Sequence, residues 1–218
     1  EKVVLSIPAF FNQYQRLALM DAGMFIEDIN GLTLINDGLS IAINYAMKKS
    51  DFAVDLPHHY IIYDMGSGST KATLVTITQH DDKDVPIKIE MQGYGFNSTL
   101  GGSSFTLKIG DIIKQKFLAK NPKISETTLE TDARAIAKIV QAADKAKLVL
   151  SANADASVSI ESLVSDIDFR ATITRDEFES ALEEDIKGMT NPIWDAINKQ
   201  FTSDDQPRIS LDDLTGVI

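Results

Sequence analysis

The stretch YIIYDMGSGST, residues 60–70, is the part of the sequence that best indicates the fold. Its apolar beginning predicts a buried strand, its Gly/Ser segment predicts a turn, and the alternating Ala72, Leu74 and Ile77 predict a second strand. Consecutive backbone N–H groups in such a turn form an anion site, to which Ser and Thr hydroxyls add donors. Asp64, at the end of the first strand, can hold a metal through water. The stretch therefore predicts a strand–turn–strand unit able to bind phosphate, although a plain glycine hairpin is the simpler interpretation.

The surroundings of this turn exclude two common phosphate motifs. No Gly-Lys-Ser/Thr opens a helix here, so the turn is not a P-loop. A strand rather than a helix follows it, so it is not a dinucleotide-binding fingerprint either.

Composition limits the class of protein. The 218 residues carry a formal net charge of −11, which argues against a nucleic-acid or anionic-membrane surface because both need clustered Lys and Arg. No segment approaches the ~18–20 apolar residues of a membrane span, and residues 1–3 do not resemble a signal peptide, so we expect a soluble protein. The absence of cysteine excludes disulfides and thiolate metal sites. His58 and His59 lack the spacing of a zinc site, and we expect them in a polar linker over residues 48–59.

Periodicity and capping residues predict the remaining elements. Strands are expected at residues 3–7, 32–35, 87–91, 158–160 and 169–173. A helix is expected at residues 13–22, with Gly23 as its C-terminal stop. A second is expected to begin after a cap at Asn36 or Asp37. Further helices are expected over residues 105–117, 132–150, 176–187 and 193–201. The Thr174 and Glu177 pair predicts a capping box, and Trp194 is expected in the core. A boundary is expected near residue 57.

Two further features indicate anion binding. The stretch Leu100–Ser104 opens a helix, whose free N–H groups and dipole favour phosphate, although such glycine pairs often have no ligand. The helix over 132–150 is expected to carry one apolar stripe, made of Ile136, Val140, Ala143 and Leu150. Lys147 falls on that stripe and Asp144 faces the same way, so this pair either lines a cleft or forms a solvated ion pair.

Taken in order, the motifs of the chain resemble the ATPase domain of the 70-kDa heat-shock chaperone family. The matching runs are Ile7–Asn12 with Gln15 and Arg16, Asp21–Gly23, Ile35–Asp37 with Ala42 and Tyr45, Asp64–Gly68, Leu100–Gly102, Ala146–Ser151, Ile167–Phe169 and Thr174–Glu179. Ser67 and the run 150–155 are similar to the large endoplasmic-reticulum branch of this family, the 170-kDa glucose-regulated class and its fungal counterpart.

This resemblance implies an α/β, actin-like ATPase (ribonuclease-H-like) fold with two lobes, here incomplete. Residues 1–56 would be the last part of lobe I and residues 57–218 most of lobe II. Lobe II would contain the phosphate hairpin 60–78, a subdomain at about 101–182 and a C-terminal part, 183–218. ATP or ADP with Mg²⁺ would bind between the lobes. Other catalytic loops of the family would lie outside the chain, so we expect little or no ATP hydrolysis by these residues alone.

The resemblance also implies the site residues. Asp37 and Asp64 would position magnesium and the attacking water, with Asp64 holding the metal through water. A helix-capping role for Asp37 is the open alternative. Lys71 stands where the family has an aspartate, which predicts weaker metal-assisted hydrolysis, and Leu148 replaces an arginine that stacks on adenine. The nucleotide-binding residues would be Gly66, Ser67, Gly68, Ser69, Thr70, Gly101, Gly102, Asp144, Lys147 and Ser151.

The function implied is that of a chaperone of the endoplasmic-reticulum lumen. It would act as a nucleotide exchange factor for the conventional lumenal 70-kDa chaperone and assist folding or translocation of polypeptides bound outside this chain. The sequon Asn97-Ser98-Thr99 is compatible with a lumenal glycoprotein. The alternatives are an autonomous ATP-hydrolysing folding chaperone, a sugar or acetate kinase, which shares the actin-like superfold, and a purely structural or binding lobe without nucleotide.

Overall fold

A computed structural model describes residues 2–26, 31–49, 51–82, 84–201 and 207–218. The strands are β1 (Lys2–Ile7), β2 (Gly31–Asn36), β3 (Pro57–Met65), β4 (Thr70–Thr78), β5 (Lys88–Asn97), β6 (Asp155–Val164), β7 (Ile167–Thr174) and β8 (Leu214–Val217). The helices are α1 (Gln13–Met24), α2 (Asp37–Lys48), α3 (Gly102–Lys120), α4 (Glu126–Thr131), α5 (Ala133–Leu150), α6 (Arg175–Ala181), α7 (Glu183–Gly188) and α8 (Asn191–Asn198). A 3-10 turn covers Leu211–Asp213. No described helix is both long and apolar enough to cross a membrane.

The chain forms two compact units. The first consists of residues 1–65, 70–98 and 190–218, and the second of residues 66–69 and 99–189. The predicted boundary near residue 57 falls at the start of β3, inside the first unit. The division into lobes stays a prediction.

The first unit begins with a strand–helix–strand arrangement. β1 and β2 pair in parallel, with Lys2 opposite Gly31 and Ile7 opposite Asn36. Helix α1 connects them and begins at a capping box, in which the Asn12 side chain accepts from the Gln15 N–H and the Gln15 side chain accepts from the Asn12 N–H. This reciprocal pair satisfies two backbone donors that a helix start otherwise leaves unpaired.

The main sheet of the first unit has the strand order β5-β4-β3-β8. β3, β4 and β5 are antiparallel neighbours, and β8 runs parallel to β3. Alternate residues of the buried strands pack into two clusters, because side chains alternate between sheet faces. One cluster contains Ala42, Ala46, Phe52, Tyr60, Ile62, Val75 and Ile77. The other contains Ile61, Ala72, Leu74, Ala196, Ile197 and Ile209.

Two glycines let α8 lie directly on β5. A Cβ atom at Gly93 would overlap the Ala196 carbonyl oxygen, and one at Gly95 would overlap that of Pro192. The backbones of helix and strand therefore approach more closely than side chains would allow, which fixes the C-terminal helix on the sheet.

The second unit is built from helices on a hairpin. β6 and β7 are antiparallel. Buried residues of both strands pack with buried residues of α3 and α5 in one hydrophobic cluster. Phe117 of α3 and Phe169 of β7 are buried and meet edge to face with ring centroids 5.9 Å apart. The predicted capping box is confirmed: Thr174 accepts from the Glu177 N–H, and Glu177 accepts from the Thr174 N–H.

Several local predictions were wrong at element ends. Gly23 does not stop α1 but lies buried within it, where the absent side chain leaves room for Leu32. His58 and His59 belong to β3, not to a linker. The predicted helix over 176–187 is divided at Leu182, whose backbone angles of φ −96° and ψ 0° separate α6 from α7.

Two predictions about side-chain burial were also wrong. The buried stripe of α5 is displaced from Ile136 and Val140 and consists of Ala135, Ile139, Ala143, Ala146 and Leu150. Because the helix is rich in alanine, the predicted stripe and the observed stripe are both apolar and have the same period. Apolarity alone therefore does not predict which of the two is buried. Trp194 is 48% exposed, because α8 buries the opposite side, formed by Pro192, Ala196 and Ile197.

Candidate nucleotide-binding site

The predicted phosphate turn connects β3 to β4 and contacts the start of α3. Within the turn, the Gly66 N–H donates to the Ser69 carbonyl at 2.9 Å. The carbonyls of Gly66 and Ser67 accept from the N–H groups of Gly102 and Ser103, at 3.0 and 2.8 Å. The hydroxyls of Ser67 and Ser103 also form a hydrogen bond of 2.7 Å. The two predicted anion-binding segments are therefore one connected structure.

This connection corrects the expectation of free N–H groups at the helix start. The N–H groups of Gly102 and Ser103 are bonded to the turn, and the Gly101 N–H donates to the Ser104 hydroxyl at 3.2 Å. The helix dipole still favours an anion nearby. Gly66, Ser67 and Gly68 are exposed and thus accessible to a ligand.

Gly101 makes this packing possible. A Cβ atom there would lie 2.5 Å from the Ser67 carbonyl oxygen and 2.8 Å from that of Gly66, both backbone atoms that cannot turn away. At Gly68, by contrast, a Cβ atom would meet nothing within 4 Å. The two glycines thus differ in role: Gly101 is required for backbone packing, and Gly68 is not.

Lys147 links α5 to the first turn of α3. Its ammonium donates to the Gly102 carbonyl at 2.9 Å and to the Thr106 hydroxyl at 2.7 Å, and it lies 3.0 Å from Asp144 Oδ1. Thr106 donates to Asp144 at 3.2 Å. The hydrogen bond from Lys147, assisted by its charge and by Thr106, lowers the pKa of Asp144 below its usual value. The predicted pair is therefore part of a network that fixes the helix start.

An open groove adjoins this network within the second unit. It measures about 600 Å³ and is lined by Ser103, Thr106, Leu107, Ala137, Val140, Gln141 and Asp144. Its walls are mainly apolar with a few polar groups, the composition typical of a small-molecule site.

The remaining predicted binding residues lie in different settings. The Ser151 hydroxyl, just after α5, donates to the Leu148 carbonyl at 2.6 Å, and Leu148 itself is 66% exposed. Thr70 is fully buried where β4 begins, so its hydroxyl has no accessible surface for phosphate in this conformation. Ser69 is partly exposed. The binding roles of these residues stay predictions.

The two predicted carboxylates meet at Lys71 in the first unit. The Lys71 ammonium lies 2.6 Å from Asp37 Oδ2 and 2.7 Å from Asp64 Oδ2. Asp64 and Lys71 are paired across β3 and β4, and Asp37 is the first residue of α2. We call these three residues the Asp–Lys–Asp triad. Partial burial lowers the pKa of Lys71, but the hydrogen bonds with Asp37 and Asp64 outweigh this effect and leave the pKa raised.

The position of Asp37 corrects its predicted capping role. Asn36 occupies the N-cap position and makes no side-chain cap bond. Asp37 instead accepts from the Gly38 N–H at 2.8 Å through Oδ1 and from Lys71 through Oδ2. Its negative charge in the first helical turn also complements the helix dipole.

The triad does not fit a magnesium ion between its carboxylates. Among the described residues, no group of three or more His, Cys, Asp or Glu could hold a metal. The Lys71 ammonium already contacts one oxygen of each carboxylate, and a divalent ion there would have to displace it. The expected water-mediated metal contact of Asp64 stays a prediction.

Sequence reasoning missed two features of these sites. The Thr106 hydroxyl accepts from Lys147 and donates to Asp144. In the sequence, however, Thr106 is an ordinary polar residue within a helical pattern. The sequence shows the charge of Lys71 but does not indicate that it pairs with both acids. The pairing with Asp64 could have been inferred, because a four-residue turn over 66–69 places Asp64 opposite Lys71.

Comparison with known proteins gives the family. A family model described as "Hsp70 protein" matches residues 1–207. The chain is 48% identical over 200 residues to "Heat shock protein 70 homolog LHS1" of Saccharomyces cerevisiae, covering 92% of this chain and 23% of that protein. It is 48% identical over 218 residues to the protein of the same name from Candida glabrata, covering 100% of this chain and 24% of that protein. It is 32% identical over 217 residues to "Hypoxia up-regulated protein 1" of Homo sapiens, covering 99% of this chain and 21% of that protein.

The chain spans less than a quarter of the length of each of these relatives. The resemblance inferred from the ordered motifs is confirmed by the family match. The α/β architecture with its β3–β4 hairpin is consistent with part of a two-lobed actin-like ATPase fold. The chain therefore belongs to the Hsp70 family and has the actin-like ATPase fold of that family.

Proposed function

We propose that this chain is the ATP- or ADP-binding part of an endoplasmic-reticulum chaperone that accelerates ADP release from the conventional lumenal 70-kDa chaperone. The proposal is supported by the similarity to LHS1 and to Hypoxia up-regulated protein 1 over nearly the whole chain. The lumenal location rests on the resemblance to the large endoplasmic-reticulum branch. The sequon at Asn97, at the end of β5, is compatible with it.

Nucleotide binding is supported by the connected turn and helix start. Exposed residues of the turn, Gly66 to Gly68, offer a surface for phosphate, and the dipole of α3 adds a favourable potential. Lys147 supplies a fixed positive charge beside this surface. The groove next to Thr106 and Asp144 is large enough for part of a nucleoside.

The observation that carries the exchange role is the Asp–Lys–Asp triad. In a hydrolysing site, Asp37 and Asp64 would act on a metal and on water, but here both carboxylates bind an ammonium group. A site arranged in this way favours nucleotide binding over rapid turnover. Nucleotide exchange on a partner needs no chemistry by the exchange factor, because gripping one part of the partner in an open conformation suffices to release ADP. Client polypeptides would bind outside this chain.

The test is stopped-flow release of a fluorescent ADP from the conventional lumenal chaperone, with and without the full-length protein. Acceleration of at least tenfold at micromolar concentration supports the proposal. No acceleration, together with ATP-dependent release of unfolded peptide, would identify an autonomous folding chaperone instead. Membership of the Hsp70 family favours either outcome over a sugar or acetate kinase, which would phosphorylate a small hydroxyl compound.

A further inference from the structure

The Asp–Lys–Asp triad has the arrangement of a small cation site. Asp37 Oδ2 and Asp64 Oδ2 both point to the Lys71 ammonium, at 2.6 and 2.7 Å. The side chains are 17% exposed for Lys71 and Asp37 and 37% for Asp64. Two ionised carboxylates at this short distance repel each other, so the position favours a positive charge between them.

The lysine is held in place by the fold around it. Lys71 lies directly opposite Asp64 in the hairpin, and Asp37 is fixed at the start of α2 by its own bond to the Gly38 N–H. On the other neighbouring strand, β5, the residue paired with Lys71 is Phe96, which carries no charge. The two acids are therefore the charged groups that face the ammonium from α2 and β3.

An ammonium and a divalent ion cannot both occupy this position. Carboxylate oxygens bind magnesium at about 2.0–2.1 Å, so an ion at Asp37 and Asp64 would overlap the space that Lys71 fills. The ammonium carries one charge and is covalently attached, so it neutralises half of the pair's charge at any metal concentration. A free ion would have to move the lysine into solvent and leave its charge unpaired by these acids.

We propose that Lys71 is a built-in cation that replaces a divalent metal ion between Asp37 and Asp64 and excludes such an ion from this pair. The pair is then a fixed ion cluster rather than a metal site. The inference rests on the proposed function only for its consequence, which is that bound nucleotide has no metal bridge to these two carboxylates.

The experiment is a Mn²⁺ titration of the nucleotide-free, full-length protein, in which the spectroscopic signal of free Mn²⁺ reports binding. The wild-type protein should show no site that depends on Asp64. Lys71→Asp removes the internal cation and adds a carboxylate. It should create a Mn²⁺ site that the wild type lacks, at least tenfold tighter than the residual Mn²⁺ binding of the wild type. Adding Asp64→Asn to Lys71→Asp should abolish the new site.

Two outcomes would overturn the inference. One is a Mn²⁺ site in the wild type that Asp64→Asn removes. This outcome can be detected without any Lys71 variant. The other is a Lys71→Asp protein that keeps the wild-type circular dichroism spectrum but gains no Mn²⁺ site. If Lys71→Asp does not fold, Lys71→Met is tested in its place. Mn²⁺ should then raise the melting temperature of Lys71→Met but not that of the wild type. Equal shifts in the two melting temperatures would contradict the inference. Because no nucleotide or partner chaperone is present, these results are independent of the exchange assay.

Discussion

Lys71 places a positive charge between two neighbouring carboxylates in a partly buried position. Removing one member of a buried ion cluster leaves the others uncompensated, which costs more than the cluster contributes as a whole. The cost falls with exposure, because water then solvates the remaining charges. At Lys71 the side chains are mostly buried, so the effect should exceed that of any ordinary surface pair in the chain.

We expect Lys71→Met to lower the free energy of unfolding by about 1–3 kcal/mol, since it leaves Asp37 and Asp64 facing each other without a cation. Urea unfolding at neutral pH measures this change. Lys88→Met is the matched control, because the Lys88–Glu90 pair lies on the same sheet but is 59% and 44% exposed, and its loss should change stability by less than about 0.5 kcal/mol. Equal effects of the two substitutions would show that the triad is no stronger than a surface ion pair.

Lys147 is the residue whose loss should most directly weaken nucleotide binding. Lys147→Met removes a fixed charge and its bonds to Gly102 and Thr106, so we expect the dissociation constant for ADP to rise about tenfold. Titration with fluorescent ADP measures it. Lys145→Met, an exposed lysine on the same helix, should bind ADP like the wild type. If both variants bind equally well, Lys147 has a structural role only.

Among elements, the contact between the phosphate turn and α3 depends on one glycine. Gly101→Ala would place a Cβ atom against two turn carbonyls, and overpacking of this kind costs about 1–3 kcal/mol. We expect lower stability and weaker ADP binding, measured by thermal unfolding and by titration. Gly68→Ala changes the same turn where space is open and should leave stability nearly unchanged. A Gly101→Ala protein as stable as Gly68→Ala would mean that the turn and helix start are not packed as described.

The start of α6 should give a measurable dependence of stability on pH. The hydrogen bond from Lys116 and that from the Thr174 N–H lower the pKa of Glu177, so its ionised form stabilises the folded state. This contribution is present above the usual pKa of about 4.5 and is lost as pH falls through the lowered folded-state value. The wild type should therefore be more stable than Glu177→Gln by about 0.5 kcal/mol at pH 7, a small value because Glu177 is partly exposed and water screens its pair with Lys116. The difference should shrink as the pH falls through the lowered pKa.

Urea unfolding at a series of pH values tests this expectation. Glu184→Gln is the control, since Glu184 is 86% exposed beside Lys187 and should show little difference from the wild type at any pH. A difference between wild type and Glu177→Gln that stays constant as the pH falls through the acidic range would rule out the charge as its cause.

The elements that sequence reasoning predicted are those specified by local signals. The hairpin around residues 66–69, the helix after Gly101 and the capping box at Thr174 each depend on residues a few positions apart. The burial of Gly23 within α1 does not follow from local signals, because the side chain that fills the space beside it, Leu32, belongs to β2. The Asp–Lys–Asp triad was missed for the same reason: Asp37 reaches Lys71 only after α2 has packed on the sheet.

At the scale of the molecule, the candidate binding groups are divided between the two compact units. The phosphate turn, the start of α3 and Lys147 belong to the second unit, and the triad belongs to the first. Each unit has its own buried cluster or clusters. Substitution of Lys147 should therefore change nucleotide binding, and substitution of Lys71 should change metal-ion binding at Asp37 and Asp64. The two properties can thus be tested separately.

The last prediction concerns the whole protein and whether the proposed exchange activity needs ATP hydrolysis by the protein itself. Because Asp37 and Asp64 are engaged by Lys71, we expect occupancy of the nucleotide site, and not turnover, to support partner docking. Protein loaded with a non-hydrolysable ATP analogue should accelerate ADP release from the conventional lumenal chaperone within about twofold of protein loaded with ATP. Lys147→Met should need about tenfold more nucleotide to reach half of its maximal acceleration, whereas Lys145→Met should not. Exchange that occurs with ATP but fails with the analogue would show that hydrolysis drives it, and would oppose the interpretation of the triad as a fixed ion cluster that does not support hydrolysis.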